Sequence, residues 1–540
     1  MALIGWNSVR GIAKHLSRNR SAVCSTCITC KPALQSKLQS VYILQTASMS
    51  GSTNDTLYTK EVKGFLDDLY KLVMDEAMVK GTDRAEKVVD FKHPEELKAL
   101  LGLSIGETGA TNEELLEACR KAIKYSVHTG HPLFINQLYC GGDPYGIAGS
   151  WVVEALNTNQ HTYEVAPAFI LTEAFIVEKM KSFVGYKGGD GIFSPGGSLA
   201  NMFGIHLARF SHEESLNSTG LFNSKRLMLF TSDEAHYSTS KGSSFMGFGR
   251  DSVVSIKTDS QGRMMASDLE EKVNECIAKD CIPLCVVATC GTTVLGAYDD
   301  LNAIADVCEK HKMWMHIDAA WGGSALLSKT HRSLMSGVER SDSILWNAHK
   351  MMNAQVQCSM FLVKEKGLLE RCNCGNATYL FQQDKFYDVS YDTGDKTVQC
   401  GRKAEAFKLY LMWKAKGDKG FEMQIDKAFD NARYLTEKVR ATEGFRPVLP
   451  EFQCTNISFW YIPPSLRGQE ETPEWWDKIS KVAPKIKERM VMKGNMMIGY
   501  QPLKYRNMVN FFRVIIQSPA LNYKDMDFIV EEIDRLGQDL

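Results

Sequence analysis

Between about residue 185 and residue 365, short apolar runs alternate with amphipathic segments, and this alternation restricts the fold more than any other feature. The runs LMLFT (227–231), PLCVVAT (283–289) and MWMHID (313–318) have the length of strands, and LNAIADVCEKHK has helical spacing. Repeated strand–helix–strand units predict an α/β fold with a mainly parallel central sheet and helices on both faces. In such sheets, ligands bind beyond the carboxyl ends of the strands.

The sequence on either side of this region has a different pattern. Before this region, the segment EVKGFLDDLYKLVMDEAM has helical spacing. After about residue 420, we predict strands in TNISFWYI, NMMIGYQ and VNFFRVII and helices in SKVAPKIKERMVMKG and DMDFIVEEIDRLG. We therefore predict four parts: a disordered or targeting extension over residues 1–55, an N-terminal helical segment over 56–145, a large domain over 146–420 and a small α+β C-terminal domain over 421–540.

The first 54 residues contain basic side chains and no acidic ones, since Asp55 is the first acid of the chain. This pattern is typical of a mitochondrial presequence, and a cytosolic tail is the alternative. The net charge of −1 favours neither nucleic acid nor anionic membranes, and no apolar run is long enough for a membrane span. Three cysteines in the extension lack nearby histidines, so we predict no metal site.

Three of the predicted strand ends carry residues with chemical potential. Gly197 and Ser198 open a helix in SPGGSLANM, where free N–H groups favour an anion such as phosphate, although a plain helix-start turn has the same sequence. Asp318 closes the strand MWMHID. Lys350 lies in the apolar run SILWNAHKMM, where it either extends its ammonium to water or is desolvated. Desolvation lowers the pKa of a lysine, and a neutral amine attacks carbonyl carbons.

Further polar residues follow other strand ends or accompany Lys350: His236 follows LMLFT, Thr293 follows PLCVVAT, and Asn347 and His349 precede Lys350. Taken together they form an anion site, a flat ring, hydroxyls, a buried acid and a buried lysine on one edge of a sheet. Pyridoxal phosphate requires a lysine for covalent attachment, a phosphate cradle and an acid for its pyridine nitrogen. The order of these residues along the chain therefore favours this cofactor.

Longer motifs carry a resemblance to a known family. The segments TGHPLFINQL, DGIFSPGGSLANM, HIDAAWGGSAL, NAHKMM and YLFQQDKFYDVSYDTGDKTVQCGR resemble the group II pyridoxal-phosphate decarboxylases, in particular those that act on acidic amino acids. The resemblance extends from about residue 60 to the C-terminus. It implies the aspartate-aminotransferase fold of the type I pyridoxal-phosphate enzymes and a homodimer with its active sites at the subunit interface.

The resemblance also implies a role for each candidate residue. Lys350 would carry the cofactor, Asp318 would pair with its pyridine nitrogen and His236 would stack on its ring. Arg513 would bind the α-carboxylate of the substrate, and Gln137 would line the pocket. Tyr379 would lie on a mobile catalytic loop of about 377–388 that closes over the site of the neighbouring subunit. The residues expected around the phosphate and the cofactor ring are Gly197, Ser198, Thr293, Asn347 and His349.

The implied activity is α-decarboxylation of a small acidic amino acid, either cysteine sulfinate to hypotaurine or aspartate to β-alanine. Glutamate decarboxylation to GABA, transamination on the same fold and a catalytically silent binding protein are the alternatives. Four positions bear on the substrate: Leu133, Ile135 and His161 depart from the family pattern, and Leu295 occupies a position where glutamate decarboxylases tend to carry tyrosine. A cytoplasmic location is expected, with mitochondria as the alternative.

Overall fold

The computed structural model describes residues 57–222, 224–375 and 377–540. The chain divides into a short unit, Met1–Asp68, and a large unit, Leu69–Leu540, which contains both β-sheets. The cysteines and the basic residues of the N-terminal extension lie outside the described residues. The predictions made for that extension therefore stay predictions.

The strands are β1 (Phe134–Ile135), β2 (Asp190–Ser194), β3 (Leu227–Ser232), β4 (Val253–Ile256), β5 (Ile282–Thr289), β6 (Trp314–Asp318), β7 (Ser343–Asn347), β8 (Ser359–Val363), β9 (Phe445–Pro447), β10 (Asn456–Tyr461), β11 (Met497–Leu503) and β12 (Met508–Ile515). The α-helices are α1 (Lys60–Leu72), α2 (Pro94–Leu101), α3 (Asn112–Tyr125), α4 (Pro144–Leu156), α5 (Pro167–Val184), α6 (Gly197–His212), α7 (Leu216–Thr219), α8 (Ser238–Phe245), α9 (Ala266–Ala278), α10 (Leu301–His311), α11 (Leu368–Asn373), α12 (Glu405–Ala441), α13 (Pro473–Lys493) and α14 (Tyr523–Gly537).

The larger sheet has seven strands in the order β2-β8-β7-β6-β5-β3-β4. Strands β4, β3, β5, β6 and β7 are parallel, and β8 runs antiparallel to both of its neighbours, β7 and β2. Every residue of β7 and β8 is buried, as expected for strands that are covered by helices on both faces. The predicted mainly parallel sheet is confirmed.

The second sheet has five strands in the order β1-β11-β12-β10-β9. Four of them come from the C-terminal region, as the sequence pattern indicates. The fifth, β1, comes from much earlier in the chain and pairs in parallel with β11, so that Phe134 lies opposite Met497 and Ile135 opposite Ile498. An early segment therefore completes the C-terminal sheet.

The long helix α12 connects the two sheets and crosses residue 420, where the sequence pattern predicts a domain boundary. Its backbone leaves helical geometry at Gly417, which has a φ of 63°. The four predicted parts stay predictions, because this kink lies near the predicted boundary but does not by itself separate two folding units.

Candidate active site

The carboxyl ends of β5, β6 and β7 lie side by side at one edge of the large sheet. Thr289 is in register with Asp318, and Asp318 is in register with Leu345. The loops that follow these strands therefore gather the predicted site residues Thr293, Asp318 and Lys350 at one edge, as parallel topology requires.

Lys350 lies in a tight turn directly after β7. Its main-chain N–H donates to the carbonyl of Asn347 at 3.1 Å, and its own carbonyl accepts from Asn353 at 2.9 Å. Burial lowers the pKa of the Lys350 ammonium; nearby Asp318 opposes this shift, and the positive charge of Arg513 adds to it. The half-buried side chain therefore fits the desolvated lysine of the two alternatives better than one that extends its ammonium to water.

Asp318 ends β6 and is only 5% exposed. One carboxylate oxygen accepts from the main-chain N–H of Ala320 at 3.1 Å, and the other accepts from Nδ2 of Asn201 at 2.8 Å. These two bonds fix the plane of the carboxylate and leave its remaining lone pairs free for a cationic or N–H partner.

Gly197 and Ser198 form the first turn of α6, after Gly196 with a φ of 99°. A methyl group on Gly197 would lie 2.8 Å from Nδ2 of Asn347, so the packing of the helix start against β7 requires glycine. Within the described residues, Oδ1 of Asn347 is buried without a hydrogen-bond partner. The free N–H groups of this first helical turn make a cradle that suits a phosphate group, and the unpartnered Oδ1 of Asn347 can accept only from a ligand that donates a hydrogen.

Two imidazoles lie close enough to Lys350 for its charge to affect their pKa values. His236 follows β3, and its Nδ1 lies 2.9 Å from Oγ of Ser238; burial lowers its pKa, with Asp318 opposing the shift. His349 accepts from the main-chain N–H of Cys358 at 3.1 Å, and burial lowers its pKa to about 4. His349 is therefore an uncharged ring at neutral pH, and burial favours the same state for His236.

Arg513 reaches the same edge from the small sheet, on β12. Its guanidinium donates to the main-chain carbonyls of Thr293 at 3.1 Å and Asn136 at 3.3 Å, while its Nε is buried without a hydrogen-bond partner in the described chain. Burial lowers the pKa of Arg513, and no carboxylate of the described residues offsets that cost. This cation is therefore ready to accept an anionic ligand.

The last two predicted residues lie farther out. Gln137 is exposed, and its carbonyl accepts from Nε2 of Gln517 at 3.0 Å. Tyr379 is 77% exposed and makes no hydrogen bond to the other predicted site residues described here. The loop that carries it is held by the buried ion pair between Lys385 and Asp392, at 2.7 Å.

Sequence reasoning missed two buried residues behind Asp318, namely Asn201 and His316. Asn201 lies within the quoted motif SPGGSLANM, and His316 lies two residues before Asp318 on the same strand. Strand residues that are two apart point to the same side of a sheet, so the position of His316 was a usable signal.

The comparisons with known proteins agree with this geometry. Residues 94–462 match the model of the pyridoxal-dependent decarboxylase conserved domain, so the chain belongs to the pyridoxal-dependent decarboxylase family. The predicted enzyme class, fold and pyridoxal phosphate cofactor are thereby confirmed, and the buried lysine, acid and phosphate cradle fit that cofactor.

Among curated proteins, the chain is 52% identical to human cysteine sulfinic acid decarboxylase over 481 residues, which cover 89% of this chain and 97% of that protein. It is 49% identical to human acidic amino acid decarboxylase GADL1 over 493 residues, 91% and 94% of the two chains. A crystal structure of mouse CSAD superposes with a TM-score of 0.86 at 50% identity and covers 89% of this chain and 99% of that one.

A structure of Oryza sativa TDC with PLP and tryptamine, at 22% identity and a TM-score of 0.80, shares the fold and covers 90% of this chain and 99% of that one. No helix within residues 57–222, 224–375 or 377–540 is long and apolar enough to cross a bilayer.

Proposed function

We propose that this decarboxylase acts on a small acidic amino acid, with cysteine sulfinate or aspartate preferred over glutamate. The observation that carries the amino-acid substrate is Arg513, a half-buried residue whose described hydrogen bonds go only to main-chain carbonyls and whose Nε is buried without a partner. A buried cation without an anionic partner is costly, and a substrate carboxylate removes that cost through charge-assisted hydrogen bonds.

We propose a separate role for each of the other residues of the site. The bound cofactor supplies the electron sink for loss of carbon dioxide. The desolvated amine of Lys350 is nucleophilic, which suits it to hold the cofactor. The carboxylate of Asp318 is oriented to keep a proton on a pyridine nitrogen, and the first turn of α6 binds phosphate. The predicted general acid, Tyr379, would protonate the Cα atom of the substrate.

The choice of substrate depends on a second anion at a fixed distance from Cα. Aspartate and cysteine sulfinate place that anion one carbon beyond Cα, and glutamate places it two carbons beyond. The similarity to cysteine sulfinic acid decarboxylase and to GADL1 supports the shorter substrates. Leu295 supports them as well, because it is fully buried where glutamate decarboxylases tend to carry tyrosine.

The test is a decarboxylation assay of the purified protein with the three acids side by side. One methylene in a pocket changes the free energy of binding by about 1–3 kcal/mol, so we expect kcat/KM to differ by roughly 10–200-fold in favour of cysteine sulfinate or aspartate. A clear preference for glutamate would contradict the assignment of the substrate and leave the decarboxylase class unaffected. Absence of carbon dioxide release from all three acids would contradict the proposal as a whole.

We also propose a homodimer in which the loop of each chain serves the neighbouring site. Large apolar side chains on α4 and α5 support it, because they stay exposed in the single chain. The exposed position of Tyr379 points the same way, since the residue does not pack into the site of its own chain. The exposed large hydrophobic residues on these two helices are Tyr145, Trp151, Val152, Leu156, Leu171 and Phe175.

Mixed dimers test the exchange of loops. A chain with Lys350→Ala keeps its loop, and a chain with Tyr379→Phe keeps its lysine. If the loop crosses to the partner, a mixed dimer regains one complete site and about half of the wild-type turnover. If each loop serves its own chain, mixing the two variants gives no more activity than the variants show separately.

For location we propose the cytoplasm, with mitochondria as the alternative that the basic extension raises. A reporter fused to residues 1–48 distinguishes them, since import into mitochondria would contradict the cytoplasmic proposal. The four-part division further predicts that a chain starting near Ser50 keeps full activity. Loss of activity in that shortened chain would show that the extension contributes to the fold.

A further inference from the structure

Asn201 lies at the junction of two hydrogen-bonded branches behind the candidate active site. The residue is 1% exposed and lies on α6, one turn after Gly197. Its Nδ2 donates to Asp318 at 2.8 Å and to Oγ of Ser238 at 2.9 Å, and its Oδ1 lies 2.9 Å from Nε2 of His316. All polar atoms of this one amide are therefore engaged.

The first branch has a direction that its chemistry determines. An ionised Asp318 only accepts hydrogen bonds, so the amide nitrogen of Asn201 faces it and the amide oxygen faces His316. Nε2 of His316 therefore carries a hydrogen. His316 is fully buried, and burial is the main cause that lowers its pKa to about 4, so the ring is neutral and Nδ1 accepts.

The same reasoning continues to the end of this branch. Oγ of Ser343 lies 2.8 Å from Nδ1 of His316, so its hydroxyl donates there. That oxygen in turn accepts from the indole N–H of Trp314 at 2.9 Å. An indole can only donate, so each donor in the branch, from Trp314 onwards, points towards the carboxylate of Asp318.

The second branch leads from Asn201 to His236. Ser238 accepts from Asn201, and its hydroxyl donates to Nδ1 of His236 at 2.9 Å. The main-chain N–H of Ser238 also points to Nδ1, at 3.3 Å. His236 therefore accepts at Nδ1, and its single hydrogen lies on Nε2.

The packing of α6 on β6 makes room for this arrangement. A methyl group on Gly204 would lie 2.6 Å from the ring of His316, so the helix approaches the strand closely only because residue 204 has no side chain. His316 and Asp318 are two residues apart on β6 and point to the same side. The helix that opens at the phosphate cradle thus also carries the amide that orients the acid.

We propose that Asn201 is a positioning residue that orients Asp318 and sets the tautomer of His236 through a single amide, and that His316 and Ser343 hold that amide in its productive orientation. The inference rests on the proposed function, because it takes the roles of Asp318 and His236 from there. It predicts that both buried imidazoles carry their hydrogen on Nε2.

The first measurement uses the wild-type protein. Selective ¹⁵N labelling of histidine and solid-state NMR give the tautomer of each ring, and the signals of the two rings are assigned by their loss in His236→Asn and His316→Asn. We expect both rings to be neutral with Nε2–H. A hydrogen on Nδ1 of His316 would overturn the proposal, because Asn201 would then have to turn its oxygen towards Asp318.

The second measurement is the dissociation constant of pyridoxal phosphate from the purified protein, followed by absorbance. Removing a charge-assisted hydrogen bond from Asp318 in Asn201→Leu should weaken binding by about 10- to 100-fold. The matched control is Asn431→Leu, since Asn431 is buried to a similar extent and donates to the carbonyl of Leu521, away from the site. An equal loss of affinity in both variants would show a general packing effect and overturn the proposal.

A third variant separates this inference from the proposed function. If Asp318→Asn leaves cofactor binding unchanged, the proposed role of Asp318 is wrong. If Asp318→Asn weakens binding and Asn201→Leu does not, only the positioning role of Asn201 is wrong. Should Asn201→Leu fail to fold, Ser343→Ala replaces it, because this change removes only the hydroxyl that orients His316 and should lower the affinity for the cofactor by a smaller factor.

Discussion

The buried network behind Asp318 and the exposed loop that carries Tyr379 differ in solvent exposure and in hydrogen bonding. Asn201 and His316 are almost inaccessible to solvent and are hydrogen-bonded at every polar atom, whereas Tyr379 is 77% exposed. The comparison teaches that the residues proposed to bind the cofactor are already ordered within one chain. Tyr379, which is proposed to deliver the final proton, does not contact them in that chain.

The largest effect is expected when Lys350, the proposed attachment point of the cofactor, is replaced. Lys350→Ala should reduce carbon dioxide release to background, because it removes the desolvated amine that is proposed to hold the cofactor. The protein should remain folded and should retain its oligomeric state by size-exclusion chromatography. Lys329→Ala, on an exposed lysine, is the control and should leave turnover unchanged. Substantial turnover by the purified Lys350 variant would assign the attachment of the cofactor to another residue.

The next effect concerns Tyr379 on the exposed loop. Tyr379→Phe keeps the ring and removes the phenolic proton, and general acid catalysis of this kind contributes on the order of 10²–10⁴-fold to a rate. Formation of the amine should slow by that factor. The share of aldehyde should rise, because a proton delivered to the cofactor instead of Cα would give an aldehyde as the product. Chromatography of the amine and the aldehyde measures both. Partitioning identical to that of the wild type would show that the proton comes from elsewhere.

A smaller effect is expected at Arg513, which is proposed to bind the carboxylate of the substrate. Arg513→Met removes a charge-assisted contact of about 1.5–3 kcal/mol, which corresponds to roughly 10–100-fold in kcat/KM. Binding of pyridoxal phosphate should change little, because the described contacts of Arg513 are to carbonyls of the pocket wall. Unchanged kcat/KM for all acidic substrates would contradict the role of Arg513 in binding the carboxylate.

The smallest expected effect is the contribution of His316 to the pH dependence of the free energy of unfolding. The pKa of His316 is about 4 in the folded protein and near 6.5 in the unfolded chain. The unfolded chain therefore binds more protons between these values, and the free energy of unfolding falls as the pH drops from about 6.5 to 4. The contribution of His316 is on the order of 1 kcal/mol per pH unit within that window.

Urea unfolding at pH 7, 6 and 5 measures that contribution. The free energy of unfolding of His316→Gln should depend less on pH than that of the wild type, whatever its absolute stability. The exposed His212 at the end of α6 provides the control His212→Gln, which should keep the wild-type slope. Equal slopes for the wild type and His316→Gln would show that His316 is not held neutral by burial.

The same comparison explains what the sequence predicts and what it does not. The alternation of short apolar runs with amphipathic segments predicts the parallel sheet. The topology then brings Asp318 and Lys350 to one edge, because the carboxyl ends of parallel strands meet there. Asn201 and His316 were missed because a polar residue inside a helix or strand usually has a purely structural partner. The role of Tyr379 depends on family resemblance alone, since an exposed loop tyrosine has no periodicity that marks it.

Strand β1 was missed for a different reason. Two residues are too few to show the alternation of a strand, and the partner of β1 lies in β11, far along the chain. Local pattern therefore contains no information on this pairing. The helices α13 and α14 and the strands β10 to β12 were predicted because each is long enough to show its own period.

The pairing of β1 with β11 also has a consequence for the synthesis of the protein. About 360 residues separate Phe134 from Met497, and at about 5–20 residues per second a ribosome needs roughly 20–70 s to make them. During that interval the nascent chain presents an apolar strand whose partner does not yet exist. A strand of only two residues offers few main-chain groups to a foreign edge, and its brevity therefore protects the growing chain from premature pairing.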